Sequence, residues 1–585
     1  MRRDLEPSPI PRPSPPRLQE APSEQTPSEP IAGFSLGHSA ASQARGRVAA
    51  ILSVGALTAA ATMDGLNAVI FDIAGAHMAG SVSAGPDEAA WINLAYFIAK
   101  VCGLPITALL LGWLGPRRLL QCALVAVMIA SVGCGVGRTL PVLVLCRGLQ
   151  GLGGAAILAG GQGWLFARFS RRRQGLVQAV FALGAIMAPT TAAPAIAGVV
   201  VDLTSWNAVL LLNVPIGLIV LAILPSIIPP RAPGVVKPDW PGLALLCIGL
   251  SSLVYVLVEG SRWDWFEDSK IVWLSLTAAV TLPGFVLWQR SGRNSAPLID
   301  LKIFRHEEFA FGFAVSFVAG FALFGSAFLI PAFALEVLQF PARDAGLVLL
   351  PSALTVGLGL LTSGSVIQLL RAPPVVIVPF GIAIFVTAMW LLSGSNAQSS
   401  YADLVPTLVL RGLGMGLLFI AITIVCLGDL TGGELPQGVG LFNLGRQLGG
   451  LIGIAFLATF LDHHMALSRT AIVSSLGEGG PAVSQGLQGL EQAFANRGMG
   501  SEQAASAAVA ALDHVVTAQA AAISFNEAFL SLALLFVVAV PGLLAIKGGL
   551  AFASRRGRRG GSDGPAAVGE DGPEILAASN VRPPS

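Results

Sequence analysis

Apolar runs of about 20 residues recur along this chain of 585 residues, separated by short polar breaks. A run of that length is what an α-helix needs to cross about 30 Å of hydrocarbon. The runs fall near 49–72, 89–113, 119–137, 140–166, 174–200, 207–228, 240–259, 270–288, 308–334, 345–370, 374–393, 403–428, 438–461 and 523–548, about fourteen spans on a helical reading. Barrel strands need only about ten residues, and lipid leaves no partner for a backbone group that its own segment does not satisfy. The expected fold class is therefore an all-α integral membrane protein. Composition agrees, with 54% hydrophobic and 12% charged residues against about 25% charged in a soluble domain.

The flanks differ from this pattern. Residues 1–46 are rich in Pro and Ser and poor in aliphatic residues, so they are expected to form a disordered cytoplasmic tail. Residues 551–585 read as a second, basic tail. No leader-type apolar region with a small-residue cleavage site precedes the first run, which is expected to be a retained span. Lys and Arg concentrate in alternate connections: Arg117 and Arg118; Arg168, Arg171, Arg172 and Arg173; Arg231 and Lys237; Arg290, Arg293, Lys302 and Arg305; and Arg371. The positive-inside rule then puts both termini in the cytoplasm of a multi-pass protein of the cytoplasmic (inner) membrane. One connection is long, 462–522, and its Ala-rich stretch has helical periodicity, so an outward-facing helical hairpin or cap is expected there.

With 35 basic and 33 acidic residues, the net charge of +2 offers no field for nucleic acid. The six cysteines (Cys102, Cys122, Cys134, Cys146, Cys247 and Cys426) lie in apolar runs without a C-x-x-C or a nearby His. They read as helix-packing residues, and no metal site is expected. The clusters Gly148-Leu-Gln-Gly151-Leu-Gly153-Gly154 and Gly412 to Gly416 follow no strand and precede no suitably spaced acid. They are packing glycines rather than a nucleotide fingerprint. There is likewise no nucleophile elbow, zinc motif or phosphate loop, which disfavours a membrane-embedded enzyme.

A charged side chain in mid-bilayer costs at least about 2.5 kcal/mol, so each one retained there is a functional candidate. Asp64 lies in the first span, about 22 Å from its inner end at 1.5 Å per residue. Lys100 in the second span and Arg147 in the fourth reach a similar depth. A carboxylate beside a cation in low dielectric feels opposed effects and is poised to bind and release a proton. Asp64 is thus the candidate proton site, with Arg147 as its partner or switch and Lys100 nearby. The segment Arg147-Gly148-Leu149-Gln150-Gly151 resembles Arg411-Gly412-Leu413-Gly414 in the twelfth span, as two six-helix halves around an inserted helix pair would give. Gln150 and Arg411 join the transport candidates, as do Arg446 and Gln447 of Asn443-Leu-Gly-Arg446-Gln447-Leu-Gly449-Gly450. Glu259, Glu336 and Asp344 stand at outer helix ends and read as a solvated rim.

Several segments together resemble the fourteen-helix drug:proton antiporter branch of the major facilitator superfamily, the EmrB/QacA type. They are Met63-Asp64-Gly65, Pro86-Asp87-Glu88-Ala-Ala-Trp91, Leu145-Cys-Arg147-Gly-Leu-Gln150-Gly151, Asn213-Val214-Pro215-Ile216-Gly217, Trp263-Asp264-Trp265-Phe266, Pro297-Leu-Ile-Asp300 and Arg446-Gln447-Leu-Gly449-Gly450. The likeness covers residues of about 47–550. It implies a proton-driven exporter of small amphipathic or hydrophobic compounds, with no cofactor beyond the proton gradient and with the bilayer as its setting. The implied domains are a six-helix bundle over 47–228, two inserted helices over 229–295 and a second bundle over 296–550. In a cell with two membranes the resemblance also implies a periplasmic adaptor and an outer-membrane channel as partners of the 462–522 connection. An importer or solute:proton symporter of the same superfamily is the alternative. Arg117, Arg118, Pro194 and Gly198 carry over as gating residues, although Ala193-Pro194-Ala-Ile-Ala197-Gly198 has alanine in two positions where the family motif has glycine. Gly112 stands about where the superfamily often has an acid.

Overall fold

The computed structural model describes residues 36–192, 200, 204–230, 237–477 and 481–559. The chain divides into two units, Met1–Ala49 and Ala50–Ser585. Of the first, residues 36–49 are helical; the architecture below is that of the second.

Among the described residues every regular element is helical. The helices are α1 (Leu36–Ser81), α2 (Pro86–Val136), α3 (Leu140–Arg168), α4 (Arg171–Ala182), α5 (Trp206–Leu211), α6 (Asn213–Ile227), α7 (Trp240–Glu259) and α8 (Ser269–Arg290). After them come α9 (Glu307–Glu336), α10 (Ala342–Leu347), α11 (Leu350–Leu369), α12 (Pro374–Leu392), α13 (Tyr401–Leu427), α14 (Glu434–Gly477), α15 (Pro481–Ala495) and α16 (Ser501–Arg559).

Twelve helical segments among the described residues are long and apolar enough to cross a membrane, against the roughly fourteen runs read from the sequence. The difference lies in two places. Pro86–Val136 has 51 residues, twice the length of one span, and breaks at Gly115, whose φ of 72° and ψ of 164° leave helical space just before Pro116. A positive φ suits glycine, which has no Cβ to clash. One continuous element thus contains the second and third runs. The fifth run starts as α4 and continues as a π-helical turn, Leu183–Ala192, around Pro189; residues 193–199, with Pro194 and Gly198, lie outside the described residues.

The flanks also differ. Helix α1 begins at Leu36, inside the stretch read as tail, and α16 runs to Arg559. Once a span is helical, adding residues costs far less than starting a helix, so helix formers such as the Ala and Gln of Leu36–Gly46 extend it. The same logic shapes the long connection. Helix α14 continues to Gly477 and α16 starts at Ser501, so 462–522 is largely a helical hairpin, joined by Arg469–Asp513 at 2.7 Å and His464–Glu527 at 2.6 Å.

Glycines set the helix spacing. A Cβ on Gly175 of α4 would stand 2.6 Å from the Gly364 carbonyl of α11, and a Cβ on Gly364 2.6 Å from that of Gly175. Gly440 of α14 meets the Leu104 carbonyl of α2 in the same way. At the Arg-rich end Arg171 pairs with Asp429 at 3.0 Å, both side chains exposed, a pair worth at most about 1 kcal/mol. At the other end Arg262 pairs with Asp87, and Trp265 Nε1 donates to Thr459 Oγ1 at 2.9 Å. Both ends of the helix array are therefore tied.

Asp239 organises the start of α7. One carboxylate oxygen accepts from the Gly242 backbone at 2.9 Å and Trp288 Nε1 at 2.8 Å, and the other from Gln289 at 2.7 Å and Asn294 at 2.8 Å. Burial alone would raise its pKa, but the donors from Trp288, Gly242, Gln289 and Asn294 prevail and hold it below the ordinary carboxylate value. A lowered folded pKa means stability that is present above the unfolded value, about 3.9, and is lost as pH falls through the folded one. Asp239→Asn should therefore melt below the parent at pH 7, with the gap narrowing below about pH 4. In the same thermal assay, Gly175→Leu and Gly364→Leu should each lose several degrees. Gly489→Ala, whose added Cβ meets nothing within 4 Å, should lose none.

Candidate functional site

Three buried basic centres lie within the helix array. The first is built by α1, α2 and α3. Asp64 of α1 accepts from Lys100 Nζ of α2 at 2.8 Å, with both side chains buried. One helical turn before Lys100, Tyr96 donates its hydroxyl to Asp64 Oδ1 at 2.7 Å and lies 3.1 Å from Lys100 Nζ. Helix α3 closes the third side, where a Cβ on Gly154 would fall on Asp64 Oδ1. Gly65, next to Asp64, packs on Pro189 of the π-helical turn. Such turns are frequent at functional sites because they displace the backbone from regular register.

Arg147 is fully buried in the same cluster without touching Asp64. The ion-pair partner of Asp64 is Lys100, and Arg147 reaches the centre through Tyr96, its guanidinium 4.5 Å from the ring centroid. This corrects the sequence-based expectation that put Arg147 beside Asp64. Depth along the helices placed all three residues at one level, but the direction of each side chain depends on helix rotation. Arg147 instead donates to the carbonyls of Asn67 at 2.8 Å and Ile92 at 3.2 Å and to Gln150 Oε1 at 3.1 Å. Gln150 donates onward to Ser131 at 3.1 Å, and Asn213 donates to Asn67 at 2.7 Å and to Ser131 at 3.0 Å. Asn67, Ser131, Tyr96 and Asn213 were not among the sequence candidates. Spacing holds part of the signal: Tyr96 precedes Lys100 by four residues, and Asn67 follows Asp64 by three, each pair sharing a helix face.

Arg411 forms the second centre, buried in α13. Its guanidinium donates to Ser326 Oγ at 2.9 Å, Ser352 Oγ at 2.7 Å and the Leu323 carbonyl at 3.2 Å. The glycine after each arginine packs differently: a Cβ on Gly412 would fall on the Ser352 carbonyl, whereas one on Gly148 would come no nearer than 3.9 Å, to the Ala95 carbonyl; the close contact of α3 is made by Gly151, four residues after Arg147, against the Tyr96 carbonyl. Among the described residues the Arg411 centre has no carboxylate. The third centre is Arg446 of α14, which donates to Asn443 Oδ1 at 2.5 Å; Asn443 donates to Gln162 of α3 at 2.7 Å. Gln447 is buried beside it.

The remaining candidates lie apart from these centres. Arg117 is half-buried and Arg118 exposed at the α2 break. Glu336 and Asp344 are exposed, as a solvated rim requires. Glu259 departs from that reading: it is buried, 3.6 Å from Arg262. No group of three or more His, Cys, Asp or Glu side chains suited to a metal occurs among the described residues.

The Major Facilitator Superfamily profile matches residues 31–454. The chain belongs to this superfamily. Curated relatives agree: the multidrug export protein EmrB of Haemophilus influenzae is 27% identical over 436 residues, covering 72% of this chain and 83% of that protein. EmrB of Escherichia coli is 26% identical, covering 83% and 92%, and the fatty acid resistance protein FarB of Neisseria gonorrhoeae is 25% identical, covering 82% and 92%. The crystal structure of the human organic anion transporter MFSD10 aligns with a TM-score of 0.51 at 13% identity over 83% of this chain and 99% of that one, a likeness of fold. The protein is accordingly a multi-pass membrane transporter of the superfamily with small-molecule substrates.

Asp64 is held on all sides, so a single methyl group tests the centre. Gly154→Ala should displace the Asp64 carboxylate and break its pair with Lys100, lowering the melting temperature of the solubilised protein. Lys100→Ala leaves a buried carboxylate unpaired, a change that costs about 3–5 kcal/mol in other proteins. It should destabilise more than Lys100→Ala combined with Asp64→Asn, which a thermal-shift comparison of the two variants would read.

Proposed function

We propose that this superfamily member is a secondary active, proton-coupled exporter of small amphipathic or hydrophobic compounds. It works by alternating access between a half over 47–228 and a half over 296–550, with 229–295 as an inserted pair. The observation that carries the reading is the buried Asp64–Lys100–Tyr96 centre. Protonating Asp64 cancels its charge, leaves the Lys100 ammonium without its counter-ion and so changes how firmly α1 is held to α2. A titratable pair that joins two helices is a means by which proton binding biases one arrangement over another. Arg147 would act on it through the Tyr96 ring rather than as a direct partner. The outward direction is supported by relatives named as multidrug export proteins.

The same reading places the protein in the cytoplasmic membrane with both termini inside, because Lys and Arg gather at the Arg117, Arg171 and Arg371 ends of the helices. The hairpin of α14 and α16 would then project outward, where it suits a periplasmic adaptor leading to an outer-membrane channel. Deleting the hairpin should abolish export across two membranes while leaving transport in vesicles intact.

Purified protein in proteoliposomes, under an imposed pH gradient, supplies the test. Adding lipophilic cations, aromatic acids and antibiotics in turn should elicit substrate-dependent proton movement for at least one class. Asp64→Asn should abolish it while leaving substrate binding measurable. Normal pH-dependent transport by Asp64→Asn would end the reading, and accumulation of a labelled compound in cells in place of exclusion would make the protein an importer.

A further inference from the structure

A cavity between α3, α4, α13 and α14 is lined by polar groups that the Asp64 centre does not use. On α4, Gln178 is 1% exposed, and among the described residues neither its amide oxygen nor its amide nitrogen has a hydrogen-bond partner. Gln178 lines this cavity together with Gln162 and Arg446. A buried amide with both ends unsatisfied is disfavoured unless something that enters the site satisfies it. Around these groups stand Phe181, Ile186 and Phe419.

Arg446 is the second, independent observation. Its guanidinium carries five donors, and the single side-chain hydrogen bond among the described residues goes to Asn443. The relay from Arg446 to Asn443 to Gln162 holds the guanidinium in place, 5.6 Å from the Phe419 ring centroid. No carboxylate among the described residues lies within 4.0 Å of it, whereas Lys100 has Asp64 and Arg262 has Asp87. A buried cation with no carboxylate in direct contact among the described residues, facing a cavity with an amide unpartnered among them and aromatic walls, is arranged to receive an anion attached to an apolar body.

We propose that this cavity is a substrate site for amphipathic organic acids. The carboxylate pairs with Arg446 and receives a hydrogen bond from the Gln178 amide, while the apolar part lies against Phe181, Ile186 and Phe419. The proposal rests on the transporter reading and names its substrate class. As it stands the cavity has a volume of about 10 Å³, room for about one water, so the acid is accommodated only when α4 and α13 part. Charge decides the selectivity: a neutral amide of the same shape loses the ion pair, and a lipophilic cation is repelled.

Equilibrium binding to the purified full-length protein, with no pH gradient, tests this separately from export. The probes are labelled naphthoic acid, its neutral amide and tetraphenylphosphonium. The acid should bind at least about tenfold more tightly than the amide, and Arg446→Gln should remove that preference while leaving the weak amide binding unchanged. Gln178→Leu should weaken the acid severalfold and leave the melting temperature unchanged or raised, because it deletes an unsatisfied buried amide. A merely structural Gln178 would lower the melting temperature and spare the acid. Equal binding of acid and amide, or tighter binding of the cation, would overturn the proposal even if proton-coupled export of some other compound is found. Normal acid binding without coupled flux would instead sink the export reading and leave this site standing.

Discussion

Hydrocarbon offers neither hydrogen bonds nor counter-ions, so a polar group carried into the helix array is disfavoured unless a partner meets it there. That constraint explains why the interior polar groups occur as connected sets. Asp64 takes both Lys100 and Tyr96, and Arg147, Asn67, Gln150, Ser131 and Asn213 form a single network across four helices. Each set joins helices at fixed rotation, because a partner a turn away on the wrong face satisfies nothing. Buried pairs of this kind add little net stability over apolar packing. What they contribute is a defined arrangement of the helices they join.

Close helix approach makes such networks possible. Tyr96 and Lys100 reach Asp64 because Gly151 lets α3 lie against the Tyr96 carbonyl and because Gly154 leaves room for the carboxylate itself. The second Arg-Gly-Leu segment makes its close contact at Gly412 itself, against Ser352, where on α3 it falls a turn later at Gly151, and Arg411 is met by two hydroxyls and a carbonyl. The two arginines are thus alike in placement and unlike in environment. Of the three buried arginines, among the described residues, Arg147 reaches a buried carboxylate through Tyr96, Arg411 reaches none, and Arg446 lines the cavity beside Gln178. The division of labour proposed above, between a proton-coupling centre and a substrate-facing cation, starts from that difference.

Much of the architecture was legible in the chain. Among the described residues the long apolar runs and Arg-rich connections reappear as helices and helix ends, and the two Arg-Gly-Leu segments as buried arginines on α3 and α13. The depth of Asp64, Lys100 and Arg147 was legible as well, because helix rise converts sequence distance to height. The pairing among them was not, since rotation about the helix axis is set by neighbours that the sequence does not identify. Glu259 shows the same limit, lying at a helix end yet buried against Arg262. The extension of α14 and α16 beyond the bilayer-length runs was only half visible, as helical periodicity without a partner.

By itself, then, the sequence determined that the chain spans a membrane as helices, and roughly where, because hydrophobic length and helix rise are local quantities. It also determined which charges would stand at mid-depth, and its motifs pointed to the superfamily. Tertiary structure alone decided that Lys100 and not Arg147 neutralises Asp64, that Tyr96 links the two cations, and that Gln178 on α4 and Arg446 on α14 share one cavity. The reason is physical. Pairing in low dielectric falls off within a few ångströms, and whether two side chains come that close depends on helix rotation and on which glycines let the backbones touch.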